Sequence, residues 1–179
     1  MNMLQHGEMI HQHYLDLYRF MEMGTSDIPW ALPPIFLNNT QKLLAAAQPP
    51  QMLRNYQIYH DCGKHVCRVV DENGKQHFPE HAKHSAEQWL NCGGDAWTGD
   101  LIARDMDMHT LRGDELKIAL QKPDSVSLLL TAWCEIHANC KMFGGTDSTS
   151  FKIKAKHLEK ATKWWLELQL KLNNTLRLK

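Results

Sequence analysis

The sequence predicts an all-α fold, a single helical-bundle domain over residues 1–179 with one small β-hairpin. Three observations predict it. Apolar residues recur at three- and four-residue spacing, glycine and proline pairs separate these stretches, and only one short passage alternates as a strand does. The 179 residues suffice for one packed domain, and 43% apolar with 22% charged residues is ordinary for a globular protein.

The first third of the chain predicts three helices. Gly24 is a typical helix stop, and helices end before a pair such as Pro49-Pro50. The predicted elements are a helix over residues 8–23, a loop over 24–34, a helix over 35–47 and a helix over 51–60.

The rest of the chain predicts the hairpin and five further helices. Residues 66–78 alternate around the turn Asp71–Gly74, which indicates a short hairpin. Pro79 is tolerated in a first helical turn, and Gly93-Gly94 closes the helix that follows. The predicted helices cover residues 80–90, 100–109, 114–121, 125–143 and 154–172.

Charge and cysteine usage exclude some classes of protein. The 20 basic and 20 acidic side chains give zero net charge, which argues against a protein that coats nucleic-acid backbones. The five cysteines are scattered, and neither a signal peptide nor a long apolar run is visible. We therefore predict a cytoplasmic protein that makes no membrane contact. Trp164-Trp165 packs in the core or at an oligomer surface, which leaves a homo-oligomer possible.

The stretch His60-Asp61-Cys62-Gly63-Lys64 carries the most chemical information. Consecutive helical side chains diverge by about 100°. A His-Asp pair therefore converges on one divalent cation only at a helix end or a distorted turn, and Gly63 suits such a break. The pair predicts a metal site, and a helix C-cap with a surface ion pair is the alternative.

This stretch, followed by the hairpin and by Phe78-Pro79-Glu80-His81-Ala82, resembles the signature of the HD superfamily of metal-dependent phosphohydrolases. The resemblance covers roughly residues 5–138 and implies an HD-domain helical bundle. The family holds its metal through a first His on an early helix, the His-Asp pair and a distant Asp on a late helix. Versions with two metals insert two further histidines.

Carried onto this chain, the resemblance implies a set of metal ligands. The early ligand is His6 or His13, which are seven residues apart and share a helix face. We favour His6 because it leads directly into an apolar helix. The complete implied set is His6, His60, Asp61, His81, His109 and Glu135.

Glu135 stands where the family usually has Asp, which leaves the identity and geometry of the metal open. A carboxylate in the apolar helix predicted over residues 125–143 is costly unless it is paired or bound to metal. Asp105 and Asp107 compete with His109 for the ligand role. Asp105 shares a helix face with His109 and could orient its imidazole.

The implied ligands determine the expected chemistry. A mixed set of histidines and carboxylates suits one or two ions of Mn, Fe, Co, Ni or Zn better than Mg. Such an ion activates a water molecule for attack on phosphorus near neutral pH. Lys64 would neutralise charge on the phosphoryl oxygens, so Asp61 and Lys64 are the predicted catalytic residues. A plain surface lysine is the alternative for Lys64.

Residues 143–154 join two predicted helices through two glycines, several hydroxyls and two lysines. Such a connection could bind an anion. The predicted substrate-binding residues are Lys64, Ser148, Ser150 and Lys152. A flexible connection with a Ser or Thr helix cap is the alternative.

These observations predict a phosphomonoesterase or phosphodiesterase that uses metal-activated water on a nucleotide or on an RNA or DNA end. Zero net charge in one compact domain favours a nucleotide-sized substrate over a long strand. The alternative function is a catalytically silent HD-fold module that binds nucleotide or metal. A helical scaffold with incidental histidines is a third possibility, which predicts no bound transition metal.

Overall fold

A computed structural model describes residues 2–177, so residues 1, 178 and 179 of the predicted single domain lie outside it. The described chain is mostly helical and contains one two-stranded sheet, which confirms the all-α prediction. Two compact units share the chain: unit 1 takes residues 2–12 and 49–106, and unit 2 takes residues 13–48 and 107–177. None of the described helices has the length and hydropathy needed to span a bilayer.

Unit 1 contains two longer helices, a short third helix and the hairpin, together with the start of α1 (Met3–Met23), which continues into unit 2. The strands pair antiparallel with Val69 opposite His77. The elements are α4 (Pro50–Tyr59), β1 (Val69–Val70), β2 (Gln76–His77), α5 (His81–Asn91) and α6 (Ala96–Ala103). Helices α5 and α6 pack against each other, and α6 also packs against α4.

Unit 2 is built around α9 (Ser125–Cys140), nearly all of whose residues are buried, and the long helix α10 (Thr149–Arg177) packs along it. Trp133 of α9 is fully buried and donates a hydrogen bond from Nε1 to Thr162 Oγ1 of α10 at 3.3 Å. The other helices are α2 (Pro34–Leu37), α3 (Thr40–Ala46), α7 (Asp107–Thr110) and α8 (Gly113–Ala119), with a 3-10 turn at Lys141–Phe143.

Two predicted helices are each broken in two. The helix predicted over residues 35–47 stops at Asn38, because Asn39 donates from Nδ2 to the Ile35 carbonyl and offers the backbone a local alternative. The helix predicted over residues 100–109 begins earlier, at Ala96, and is interrupted at residues 104–106. The Asp95 side chain caps α6 by accepting from the Thr98 amide at 2.8 Å.

The loop over residues 24–33 is held in unit 2 by two buried polar groups. Asp16 of α1 accepts hydrogen bonds from Ser26 Oγ, from the Asp27 amide and from Trp30 Nε1. His137 of α9 accepts from the Ala31 amide at 3.0 Å and lies 2.8 Å from the Trp133 carbonyl through Nδ1. Burial lowers the pKa of His137 to about 4, so the ring is neutral at neutral pH.

Candidate metal centre

Three histidine side chains of unit 1 converge on one buried carboxylate, that of Asp61. His6 comes from the first turns of α1, His60 and Asp61 follow the last residue of α4, and His81 is the first residue of α5. Asp61 is the point of convergence and is 3% exposed. The predicted position of the His-Asp pair at a helix end is confirmed, since α4 ends at Tyr59.

The three imidazoles direct Nε2 at Asp61. The His60 and His6 Nε2 atoms lie 3.5 Å and 4.0 Å from Asp61 Oδ2. The His81 Nε2 atom lies 3.6 Å from Asp61 Oδ1. Ligands of one ion are about 3 to 4 Å apart, because each binds the metal at about 2.1 Å. These separations therefore suit a shared cation.

Backbone carbonyl groups fix two of the rings. His60 Nδ1 donates to the Gln57 carbonyl at 2.9 Å, and His81 Nδ1 donates to the Phe78 carbonyl at 3.1 Å. A proton on Nδ1 leaves the Nε2 lone pair for a metal, as outer hydrogen bonds do in many metal sites. In both cases the acceptor is three residues before the histidine.

The Asp61 carboxylate combines one paired and one unpaired oxygen. Lys64 Nζ lies 2.5 Å from Oδ2. Oδ1 is buried and accepts no hydrogen bond from the residues described. An unsatisfied carboxylate oxygen is costly in a protein interior unless a cation or donor reaches it. The donor set therefore fits a divalent ion, and His6, His60 and Asp61 form a group that could hold one.

Gly7 allows α1 to reach α4. A Cβ atom at this position would lie 2.3 Å from the Ile58 carbonyl oxygen and 2.6 Å from Ile58 Cα. Real Cβ atoms do not approach a backbone so closely. The residue after His6 must therefore be glycine for the His6 ring to lie 5.6 Å from the His60 ring.

Replacing Gly7 with alanine is expected to push α1 away from α4 and to lower the free energy of unfolding by about 2–3 kcal/mol. The same shift moves His6, so affinity for Co²⁺ should fall, as a competition assay with a coloured chelator would measure. Glu8→Ala is the matched control, because Glu8 is exposed and pairs with Arg54 at 3.2 Å. Equal affinities in the Gly7 variant and wild type would contradict the role of Gly7.

The structure brings His6, not His13, to the His-Asp pair. His13 belongs to unit 2, where its ring lies edge-on to Trp30 at 6.0 Å. The choice between the two histidines therefore falls on His6.

Cys62 lies within the motif, but burial raises the pKa of its thiol, which donates to the Ser85 carbonyl. Cys62 is thus a weaker ligand than its neighbours.

His109 and Glu135, the other two implied ligands, lie in unit 2 and contact each other. His109 Nε2 is 2.8 Å from Glu135 Oε2, and both side chains are mostly buried. The buried Glu135 carboxylate was expected to be either paired or bound to metal, and here it is paired with the His109 imidazole. The role of Glu135 as a metal ligand stays a prediction. Asp105, proposed to orient His109, accepts a 2.7 Å hydrogen bond from the Tyr56 hydroxyl in unit 1.

The connection before α10 has a local structural role. Ser148 Oγ donates to the Gly145 carbonyl and accepts from the Phe151 amide at 3.2 Å, which caps the helix. Lys152 lies 3.8 Å from Asp147, and Ser150 is exposed. Substrate binding by Ser148, Ser150 and Lys152 stays a prediction.

Sequence reasoning missed the residues that support the centre. The Gln57 side chain accepts a 2.7 Å hydrogen bond from His11 Nδ1, and the Gln57 backbone carbonyl orients His60. Gly63 donates its amide to Ser85 Oγ at 2.8 Å. The only signal in the sequence is spacing, since Gln57 and Phe78 each precede a candidate ligand by three residues.

No protein-family model matches the chain, and neither a curated protein nor a solved structure matches it. The resemblance to the HD superfamily therefore rests on the sequence motif, and the geometry of unit 1 shows that His6, His60 and Asp61 could hold a metal ion.

Proposed function

We propose that this protein is a metal-dependent phosphohydrolase of the HD type that acts on a nucleotide or on a nucleic-acid end. The observation that carries the proposal is the placement of three imidazole Nε2 atoms within 4.0 Å of the buried Asp61 carboxylate. A structural ion pair would need one such partner. Three, with two rings fixed through Nδ1, are typical of a metal site.

Each residue has a separate task in this proposal. A bound Mn, Fe, Co, Ni or Zn ion would lower the pKa of a water molecule, so that phosphoester hydrolysis proceeds near neutral pH. His6, His60 and Asp61 hold the ion, and His81 completes the set around Asp61 Oδ1. Lys64 is partly exposed, so its ammonium can exchange its contact with Asp61 for a phosphoryl oxygen.

The proposal predicts that Asp61→Asn removes both metal and activity. The amide keeps the shape of the carboxylate but lacks the charge, so turnover of bis-p-nitrophenyl phosphate with Mn²⁺, Ni²⁺ or Co²⁺ should fall at least about 100-fold. Metal content, measured by mass spectrometry on the purified protein, should fall in parallel. A nucleotide screen would follow.

The matched control is Asp71→Asn. Asp71 also accepts from a histidine, His77, at 2.7 Å, but this pair lies on the exposed hairpin. The control should retain metal and turnover. Bound metal without turnover of any phosphoester would favour the silent binding module, and wild-type protein with neither metal nor turnover would overturn both functions.

A further inference from the structure

A small cavity in unit 2 is lined largely by basic side chains. Its volume is about 60 Å³, and it is lined by His109, Arg112, Ile153, Lys154, His157 and Leu158. None of these lining residues is acidic. The cavity is far smaller than the roughly 300–1,000 Å³ of pockets for whole small molecules and larger than the roughly 10–15 Å³ that one water needs. An ion or a single chemical group matches its size.

Arg112 is held in place at this cavity. Its Nη1 atom donates to the carbonyls of His109 and Leu111 at 2.9 Å and 2.8 Å, and lies 2.9 Å from His157 Nε2. In the part of the chain that the structure describes, all of these contacts are made through Nη1. The Nε and Nη2 donors therefore remain for a ligand, and a guanidinium uses such paired donors to bind oxyanions.

The surrounding groups make the cavity positive. His109 is already paired with Glu135 at 2.8 Å, so Arg112 and Lys154 supply the charge that an incoming anion meets. Burial lowers the pKa of His157, and the positive charge of Arg112 lowers it further, as expected in a positive electrostatic potential. A bound anion would relieve the repulsion among these groups.

We infer that Arg112, Lys154 and His157 form a binding site for one phosphate-sized oxyanion, either free phosphate or the phosphate group of a larger ester. Arg112 would bind two oxygens through Nε and Nη2, with His157 positioning the guanidinium and Lys154 adding charge. The inference rests on residues of unit 2 alone and is independent of the metal centre of unit 1.

The test is a titration of inorganic phosphate into the full chain in the presence of a chelator, which removes metal-bound phosphate from the measurement. Calorimetry should give one site per chain, and the ring resonances of His157 should shift in the NMR spectrum. Adenosine 5′-monophosphate forms the second arm. If the nucleotide binds more tightly than inorganic phosphate, the ligand is a phosphate ester. If it binds equally or less tightly, the ligand is free phosphate.

Variants separate a built site from general charge attraction. Arg112→Met should weaken phosphate binding about 10-fold or more, and Arg112→Lys should recover only part of it, because lysine lacks the paired donors. Lys163→Met is the matched control, since it removes one charge from an exposed position on α10 and should leave binding unchanged.

Three results would overturn the inference: absence of binding to wild-type protein at millimolar phosphate, equal losses in the Arg112→Met and Lys163→Met variants, or shifts at histidines other than His109 and His157. The wild-type NMR titration decides the question even where an Arg112 variant fails to fold.

Discussion

Replacing Gly63 with alanine should lower the free energy of unfolding by about 3 kcal/mol or more and abolish the metal binding proposed for unit 1. An added Cβ would lie 2.3 Å from the Ser85 amide nitrogen and 2.5 Å from the His84 carbonyl carbon. Both atoms belong to the backbone of α5, so either this helix or the segment that carries Gly63 must move. Either movement separates His81, at the start of α5, from Asp61, two residues before Gly63. Urea unfolding followed by circular dichroism measures the loss of stability.

Gly99→Ala is the control for Gly63→Ala within unit 1. The nearest atom to its added Cβ is Leu90 Cδ2 at 3.1 Å, the end of a flexible side chain. Alanine is favoured over glycine in a helix by about 1 kcal/mol, which offsets the tight contact. We expect the Gly99 variant to stay within about 1 kcal/mol of wild type. An unchanged urea midpoint for Gly63→Ala would show that α5 can move without cost.

Asp16→Asn should lower the free energy of unfolding by about 2 kcal/mol at pH 7. Burial alone would raise the pKa of Asp16, but hydrogen bonds from Ser26, the Asp27 backbone, Trp30 and Arg19 lower it from 3.8 to about 2. That difference between unfolded and folded chains corresponds to roughly 2 kcal/mol in favour of the folded state. Trp30 donates to the carboxylate at 2.9 Å, so its fluorescence can follow unfolding.

The pH dependence of the Asp16 effect has a fixed sign. Because the pKa is lower in the folded chain, the stabilisation is complete above about pH 4 and is lost as the pH falls towards 2. Other carboxylates titrate in the same range, so the difference between wild type and Asp16→Asn isolates this group. The difference should shrink steadily between pH 4 and pH 2.

Asp27→Asn provides the control for Asp16→Asn. The Asp27 side chain also accepts from Arg19, but it is 86% exposed, and exposed ion pairs contribute little. We expect the control to change stability by less than about 0.5 kcal/mol. A difference for Asp16→Asn that stayed constant from pH 7 to pH 2 would contradict the proposed charge effect.

The helices could be predicted where the apolar period is long. The periodic residues of α9 and α10 predict two buried or half-buried helices, and both form. The start of α10 lies at Thr149, earlier than predicted, because Ser148 caps it. Side-chain hydrogen bonds of single residues, such as Asn39 to the Ile35 carbonyl, decide where short helices break. The spacing of apolar residues does not indicate these hydrogen bonds.

The sequence singled out four residues of the candidate site, His6, His60, Asp61 and His81, but not the residues that support them. The other two implied ligands, His109 and Glu135, lie in unit 2, and their role as ligands stays a prediction. The adjacent pair His60-Asp61 can be recognised from the sequence alone, and the structure places both residues at a helix end. The need for Gly7 and Gly63 depends on which backbone each one meets, at Ile58 and at Ser85, and those contacts join distant segments. Gly63 read alone suggests only a helix stop.

The order of segments along the chain has a consequence for fragments and for synthesis. Each unit takes one early and one late segment, so no single cut separates the two units. A chain that stops at residue 106 has every residue of unit 1 described here but only residues 13–48 of unit 2. Phe36 and Leu43, both fully buried in the complete fold, would then lack the helices that cover them. Nascent chains of this length therefore expose an aggregation-prone apolar surface, which chaperones or other nascent chains can bind until α9 and α10 are synthesised.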